Sequence, residues 1–147
     1  MPVMMKLLEK IPFFWEMTEA ERAVFASSDS FFQVHKDGEV IIHENDTTDF
    51  SLYILIKGSV YIRNEDYPGK VITQLDEGAV IGEASFLASR PRTASVIAKG
   101  KVTVFRIDRE AMRKFDYPLQ IKIKDRLAEI LVERLERMNH AMARILG

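Results

Sequence analysis

The middle of the chain alternates short apolar runs with turn residues. Between residues 31 and 107 the runs are rich in valine, isoleucine, phenylalanine and tyrosine and recur about every ten residues, which predicts antiparallel strands. The predicted strands span residues 31–35, 39–43, 50–57, 59–63, 71–75, 79–81, 93–98 and 102–107. Turn residues separate them at Asp37-Gly38, Asn45-Asp46, Lys57-Gly58, Pro68-Gly69, Glu77-Gly78 and Lys99-Gly100. Eight strands with such turns predict a β-roll or jelly-roll barrel.

Capping residues predict helices before and after the strands. Thr18 and Glu21 have the spacing of a capping box, which predicts a helix that begins at Glu19. Asp108 can cap a short helix after the last strand, and Pro118 suits the first turn of a long final helix. The three helices are expected over residues 19–27, 108–115 and 118–146.

The order of these elements predicts an α+β fold in a single domain. A chain of 147 residues is the size of one domain with one sizeable core. We expect N-terminal helices over residues 1–30, an eight-stranded barrel over 31–107 and C-terminal helices over 108–147. A short helix within residues 80–96 would interrupt the strands.

The final helix carries two apolar stripes. One has the spacing of heptad a and d positions and consists of Ala128, Leu131, Leu135, Met138, Met142 and Ile145. The other stripe would lie against the barrel and consists of Ile123, Leu127 and Ile130. Because one small domain covers one stripe, we expect a parallel homodimer through Leu131, Leu135, Met138 and Met142.

Charge and composition exclude several classes of function. The chain has 21 basic and 22 acidic residues and a net charge of -1, so no strong field attracts nucleic acid or an anionic membrane. It has no cysteine, which excludes disulfides, thiolate metal sites and cysteine nucleophiles. The N-terminal segment has no apolar stretch long enough for a signal peptide or a spanning helix, which predicts a cytoplasmic protein.

The segment from Val80 to Ala98 has the parts that hold a small anion. Gly82 permits a tight bend after a strand, and the next five residues can form one helical turn whose free N–H groups face outward. Arg92 adds a positive charge, while Glu83 needs a different partner, for which a ribose hydroxyl is suitable. The pattern therefore predicts a nucleotide with one phosphate.

This segment resembles the phosphate-binding cassette of cyclic nucleotide-binding domains, the family of bacterial catabolite activators, the regulatory domains of protein kinases A and G, and nucleotide-gated channels. The matching residues are Ile81, Gly82, Glu83, Ser85, Phe86, Leu87, Pro91, Arg92, Thr93, Ala94, Ser95 and Val96. Upstream, residues 37–42 resemble the family's Pro-Gly-Glu-x-Ile segment and residues 52–61 its Leu-Tyr-x-Ile-x-x-Gly-x-Val segment. The resemblance covers roughly residues 8–140.

The resemblance implies a ligand and a set of contacts. Arg92 would bind the cyclic phosphate and Glu83 the ribose 2′-hydroxyl, and the ligand would be cAMP or cGMP, with no metal. The full set of expected ligand-binding residues is Gly82, Glu83, Ala84, Ser85, Arg92, Thr93 and Ala94. Threonine at position 93 permits cGMP in this family without requiring it, and we expect cAMP. The final helix would cover the base.

Enzymatic readings have little support. His35 and His43 lie eight residues apart and lack the His-x-His pair of a metal-binding jelly roll, and no serine lies in a Gly-x-Ser-x-Gly turn. We therefore expect a non-enzymatic cyclic nucleotide sensor, with a protein effector as a further partner. An interaction module that acts through its final helix without gating by ligand is the alternative. Because no segment follows that helix, a DNA-binding regulator is not expected.

Overall fold

The computed structural model describes residues 2–64 and 71–147, and it divides into two compact units, the first ending at Lys114 and the second spanning Phe115–Gly147. The predicted turn at Pro68-Gly69 lies outside the described residues. Within the described residues, no helix combines the length and the hydropathy that crossing a bilayer requires.

Six antiparallel strands form the sheet of the described first unit. They are β1 (Phe32–His35), β2 (Val40–Ile42), β3 (Leu52–Arg63), β4 (Val71–Leu75), β5 (Val80–Ile81) and β6 (Ser95–Ile107). The long strands β3 and β6 pair with each other from Leu52↔Ile107 to Arg63↔Ser95. Each takes two short strands on its other edge, β1 and β2 on β6, and β4 and β5 on β3. The fold is α+β, as predicted, but the described strands form an open sheet rather than a closed barrel.

The prediction of eight strands was wrong because two glycines bend strands instead of ending them. Gly58 has a φ of 90°, and the pairing of β3 with β6 shifts register across it, between Lys57 and Ser59, and once more just before it, between Leu55 and Lys57. A side chain at Gly58 would lie 2.5 Å from the carbonyl oxygen of Lys101, so glycine is required there for space as well as for its backbone angle. Gly100 likewise bends β6 with a φ of 73°, although no atom lies within 4 Å of the position its Cβ would take. The predicted strands 50–57 and 59–63 are one strand, and so are 93–98 and 102–107.

Two groups of buried side chains form the core of the first unit. Strand residues, all aliphatic except one tyrosine, make the larger group, which comprises Ile42, Tyr53, Leu55, Val60, Ile81, Val96, Ala98, Val102 and Val104. An aromatic group joins the N-terminal helices to β6, because the Phe14 and Phe25 rings both meet Phe105 edge-on, with centroids 5.2 and 5.0 Å away. The aromatic contacts thereby fix the N-terminal helices on β6, the strand that follows Arg92 in sequence.

The described residues form five α-helices: α1 (Pro2–Glu9), α2 (Glu19–Ala26), α3 (Glu83–Ala88) and α4 (Arg109–Lys114) in the first unit, and α5 (Tyr117–Leu146) in the second. The predicted capping box begins α2, since Thr18 Oγ1 accepts from the Glu21 N–H at 3.1 Å and Glu21 Oε1 accepts from the Thr18 N–H at 2.8 Å. Short 3₁₀ turns precede and follow α2, at Pro12–Phe14 and Asp29–Phe31.

The second unit consists of α5 and the residues that cap it. Asp116 Oδ1 accepts from the Leu119 N–H at 3.0 Å, and Pro118 lies in the first turn, where its missing N–H costs nothing. The structure buries Leu119, Ile123, Leu127 and Ile130. The heptad stripe is exposed from Leu131 onward, with exposed fractions of 58% at Leu135, 62% at Met138 and 83% at Ile145.

Candidate ligand-binding site

The turn from β5 into α3 depends on Gly82. Its φ of 84° and ψ of 17° lie in the left-handed region, which residues other than glycine rarely adopt. A Cβ at this position would collide with Nη1 of Arg92 and lie 3.1 Å from the carbonyl oxygen of Ser51. The glycine therefore permits the bend and also lets the arginine approach the backbone.

The helix that follows the bend presents its N-terminus to Arg92. The first intrahelical bond of α3 runs from the Phe86 N–H to the Gly82 carbonyl at 3.1 Å. The N–H groups of the first turn, those of Glu83, Ala84 and Ser85, have no acceptor within a helix that begins there. Such a turn attracts an anion through its N–H groups and its partial positive charge.

The Arg92 side chain is buried beside this turn, with 3% of it exposed. Its Nη2 donates to the Ser51 carbonyl oxygen at 2.8 Å, and its Nη1 donates to the Gly82 carbonyl oxygen at 3.3 Å. The backbone of Arg92 is held as well, because its N–H donates to the Asp46 carbonyl at 3.1 Å and its carbonyl accepts from the Asn45 N–H at 2.8 Å. The guanidinium group is thus bonded to the segments around Ser51 and Gly82, and the Arg92 backbone is bonded to Asn45 and Asp46.

Asp49 partly balances the buried charge of Arg92. Its Oδ2 lies 3.8 Å from Nη2 of Arg92, which is close enough for attraction but beyond the range of a hydrogen bond. Burial lowers the pKa of Arg92, and the charge of Asp49 opposes that shift. An arginine stays charged at any working pH, so the site holds a cation that Asp49 attracts without a hydrogen bond.

The carboxylate of Asp49 is itself surrounded by donors. It accepts from the Ser51 N–H at 3.0 Å, from Ser51 Oγ at 2.6 Å, from Tyr53 Oη at 3.0 Å and from Arg106 Nη2 at 3.3 Å. Burial alone would raise the pKa of Asp49, but the Ser51 and Tyr53 hydrogen bonds and the Arg106 charge outweigh burial and bring it below its ordinary value. Asp49 is therefore a firmly ionised group that is engaged mainly by residues other than Arg92.

The structure brings together the two halves of the predicted site. Gly82 contacts Arg92 directly, and Glu83 and Ser85 are buried in the same turn, whereas Ala84 is exposed. The segment after Arg92 is fixed from both sides. The Thr93 carbonyl accepts from Asn64 Nδ2 at 3.1 Å, and Ser95 Oγ accepts from the Glu44 N–H at 2.9 Å. The Thr93 side chain is exposed, and Ala94 is half-buried.

Sequence reasoning missed the residues that hold Arg92. Ser51 supplies the carbonyl acceptor, and Asp49 supplies the nearby charge. A signal for both was present, because Asp46-Thr47-Thr48 and Asp49-Phe50-Ser51 each have an aspartate two residues before a hydroxyl. In both, the aspartate accepts from the backbone N–H and the hydroxyl of that residue. The pattern marks two successive tight turns before β3.

Comparisons with known proteins identify the family of the chain. A family model described as the cyclic nucleotide-binding domain matches residues 32–115. The cAMP-dependent protein kinase regulatory subunit of Dictyostelium discoideum is 30% identical over 120 residues, which are 78% of this chain and 36% of the relative. The cGMP-dependent protein kinase of Plasmodium berghei (strain Anka) is 30% identical over 132 residues, which are 88% of this chain and 14% of the relative.

Solved structures show the same fold. The crystal structure of a cyclic nucleotide-binding domain from Methylobacillus flagellatus KT superposes with a TM-score of 0.76 at 24% identity, covering 98% of this chain and 83% of that one. The family model matches more than half of the residues here, from β1 to the end of α4. The chain therefore belongs to the cyclic nucleotide-binding domain family.

Proposed function

We propose that this chain binds a cyclic nucleotide without catalysis and serves as a sensor or regulatory module. The observation that carries the proposal is the buried guanidinium group of Arg92, held by the Ser51 and Gly82 carbonyl oxygens beside the N-terminus of α3. A buried cation is costly unless an anion compensates it, and a phosphate that meets both the guanidinium and the N–H groups of a helix is such an anion.

The remaining contacts follow from the positions of the side chains and backbone groups around Arg92. Glu83 is buried in the first turn of α3, where its carboxylate suits a ribose hydroxyl rather than the phosphate. Gly82, Ala84 and Ser85 supply backbone N–H groups. Thr93 and Ala94 follow Arg92 at the edge of the site.

We favour cAMP over cGMP as the ligand. The relatives include a cAMP-dependent and a cGMP-dependent kinase, so the family admits both nucleotides. The exposed Thr93 hydroxyl permits guanine without requiring it, and the fold neighbours include kinase regulatory domains with cAMP bound.

Calorimetric titration with cAMP and with cGMP tests the proposal. The wild-type chain should release heat with cAMP and bind cGMP more weakly. Arg92→Lys keeps the charge but loses the paired donors, so it should weaken binding on the order of 100-fold. Arg90→Lys is the matched control, because Arg90 is exposed two residues earlier, and it should bind as the wild type does. A folded wild-type chain that binds neither nucleotide would refute the proposal.

A second candidate function rests on the exposed stripe of α5. Leu135, Met138 and Ile145 leave a wide apolar surface on a 30-residue helix, which suits a second copy of the chain or a protein partner. In this reading the chain is an interaction module, and nucleotide does not gate it. A dimer that forms equally with and without nucleotide, in a chain with no affinity for either nucleotide, would favour this second function.

A further inference from the structure

Arg109, the first residue of α4, reaches the C-terminal end of α3. Its Nη2 donates to the carbonyl oxygens of Ser85 at 3.1 Å and Phe86 at 3.3 Å, and to Ser89 Oγ at 2.6 Å. Its guanidinium carbon lies 4.6 Å from the centre of the Phe50 ring. One side chain therefore connects α4, the end of α3 and the segment that leads into β3.

The helix α3 needs such support. It has six residues, which is far too short to be stable on its own. Its Ser85 carbonyl accepts from the Ser89 N–H at 3.0 Å, whereas the carbonyl groups after Ser85 have no N–H donor within a helix that ends there. The residue that caps its C-terminal end, Ser89, has a φ of 53°, which is left-handed and therefore costly for a residue other than glycine. A cation at the C-terminal end of a helix offsets these costs by bonding the carbonyl groups and by opposing the helix dipole.

The same side chain is connected to the residues around Arg92. Phe50, which Arg109 covers, lies between Asp49, whose carboxylate is 3.8 Å from Nη2 of Arg92, and Ser51, whose carbonyl oxygen accepts from that Nη2. The N-terminal end of α3 faces Arg92, and the C-terminal end is bonded to Arg109. Each end of the short helix is therefore connected through one arginine to the segment of residues 49–51.

We infer that Arg109 is a positioning residue of the nucleotide site, which holds α3 in the orientation that directs its first N–H groups toward Arg92. The inference rests on the proposed function. Arg109 bonds the end of α3 opposite to Arg92, and it acts on the ligand through α3. Loss of Arg109 should leave α3 in place in only a fraction of molecules. The apparent affinity should then equal the wild-type affinity multiplied by that fraction.

Hydrogen exchange of the nucleotide-free protein tests the anchoring of α3. In Arg109→Met, the amides of residues 86–89, which include the Phe86 and Ser89 N–H groups bonded to the Gly82 and Ser85 carbonyls, should exchange on the order of tenfold faster than in the wild type. Arg113→Met is the matched control, because it makes the same change in the last turn of the same helix, where Arg113 is exposed. Unchanged exchange in residues 86–89 of Arg109→Met overturns the inference, whether or not nucleotide binds.

Titration with cAMP, at a temperature where every variant is folded, tests the effect on the site. We expect Arg109→Met to weaken binding about tenfold. Arg109→Lys should recover most of the loss, because an ammonium group carries three donors on one nitrogen and three acceptors surround Nη2 here. A purely structural role would lower the unfolding temperature and leave the dissociation constant within twofold of the wild type, and that result also overturns the inference.

A second variant covers the case in which Arg109→Met does not fold. Phe50→Leu keeps an apolar side chain but removes the ring below the guanidinium, and it should weaken binding about threefold. An unchanged affinity in folded Phe50→Leu and Arg109→Lys, with unchanged exchange in α3, contradicts the role of Arg109. If the wild type binds no nucleotide, the proposed function fails together with the effect on affinity, while exchange still decides whether Arg109 anchors α3.

Discussion

Gly82 has to satisfy two conditions at once, a left-handed backbone and room for the Arg92 guanidinium. Gly82→Ala should therefore lose about 1–2 kcal/mol of unfolding free energy for the backbone angle alone. It should lose nucleotide affinity as well, by more than tenfold, because the new methyl group displaces the guanidinium from its place beside α3. Chemical denaturation and calorimetric titration measure the two effects separately.

Gly38 offers a control for that variant. It has a φ of 81°, similar to that of Gly82, but no atom lies within 4 Å of the position its Cβ would take. Gly38→Ala should show a similar loss of unfolding free energy with an unchanged dissociation constant. Equal losses of affinity in both variants would show that general destabilisation, and not displacement of Arg92, is the cause.

Asp49 should make the stability of the first unit depend on pH. Its pKa in the folded protein lies below the ordinary value of about 3.9 for an aspartate, so its contribution is present above that value. The contribution is lost as the pH falls through the lower, folded-state pKa. Asp49→Asn should unfold more easily than the wild type at pH 7, and the difference should shrink as the pH falls below about 4. Urea unfolding at several pH values checks this, and a difference that is constant with pH contradicts it.

The same carboxylate should affect ligand affinity in the opposite direction. Asp49 lies 3.8 Å from Nη2 of Arg92 without a hydrogen bond to it. Its negative charge therefore competes with the ligand phosphate for the Arg92 guanidinium. Asp49→Asn should bind cyclic nucleotide more tightly by a few-fold, provided that Arg92 keeps its bonds to the Ser51 and Gly82 carbonyls. Titration at two salt concentrations checks the electrostatic origin, because salt screening should reduce the gain.

Among the elements, helices with a local signal were predictable and long strands were not. The capping box predicted the start of α2, and the glycine before Glu83 predicted the start of α3. Both signals are visible in the sequence because they involve residues within one turn of the helix start. The division of β3 failed at Gly58, since whether a glycine ends a strand or makes a bulge depends on pairing with β6, which lies about 40 residues further on. Partners such as Ser51 of Arg92 were hidden for the same reason.

The cap of α2 should affect stability alone. Thr18→Ala removes the acceptor for the Glu21 N–H, and we expect it to cost about 1 kcal/mol of unfolding free energy. Thr18→Asn, which restores an N-cap side chain, should recover most of that loss. Because α2 contacts the core through Phe25 and does not touch Arg92, neither variant should change nucleotide affinity. A weaker binding of nucleotide by Thr18→Ala would contradict this separation.

At the scale of the whole molecule, the oligomeric state decides whether the exposed apolar stripe of α5 is an interface. We expect a parallel dimer in which Leu131, Leu135, Met138 and Met142 meet their copies, because heptad a and d positions bury their side chains only against a second helix. Leu135→Glu places two carboxylates in the seam and should raise the dimer dissociation constant at least 100-fold. Glu136→Gln, one position outside the seam, should leave it unchanged. Sedimentation velocity measures both.

Nucleotide and dimer should then be linked. If cyclic nucleotide changes the dimer dissociation constant by some factor, dimerisation must change nucleotide affinity by the same factor. The reason is that the free energies around a closed thermodynamic cycle sum to zero. We expect cAMP to shift the dimerisation of the wild type, and Leu135→Glu to bind cAMP with an affinity that no longer depends on protein concentration. A wild-type dimer whose dissociation constant is the same with and without saturating cAMP would mean that α5 acts independently of the nucleotide site, as the interaction-module reading requires.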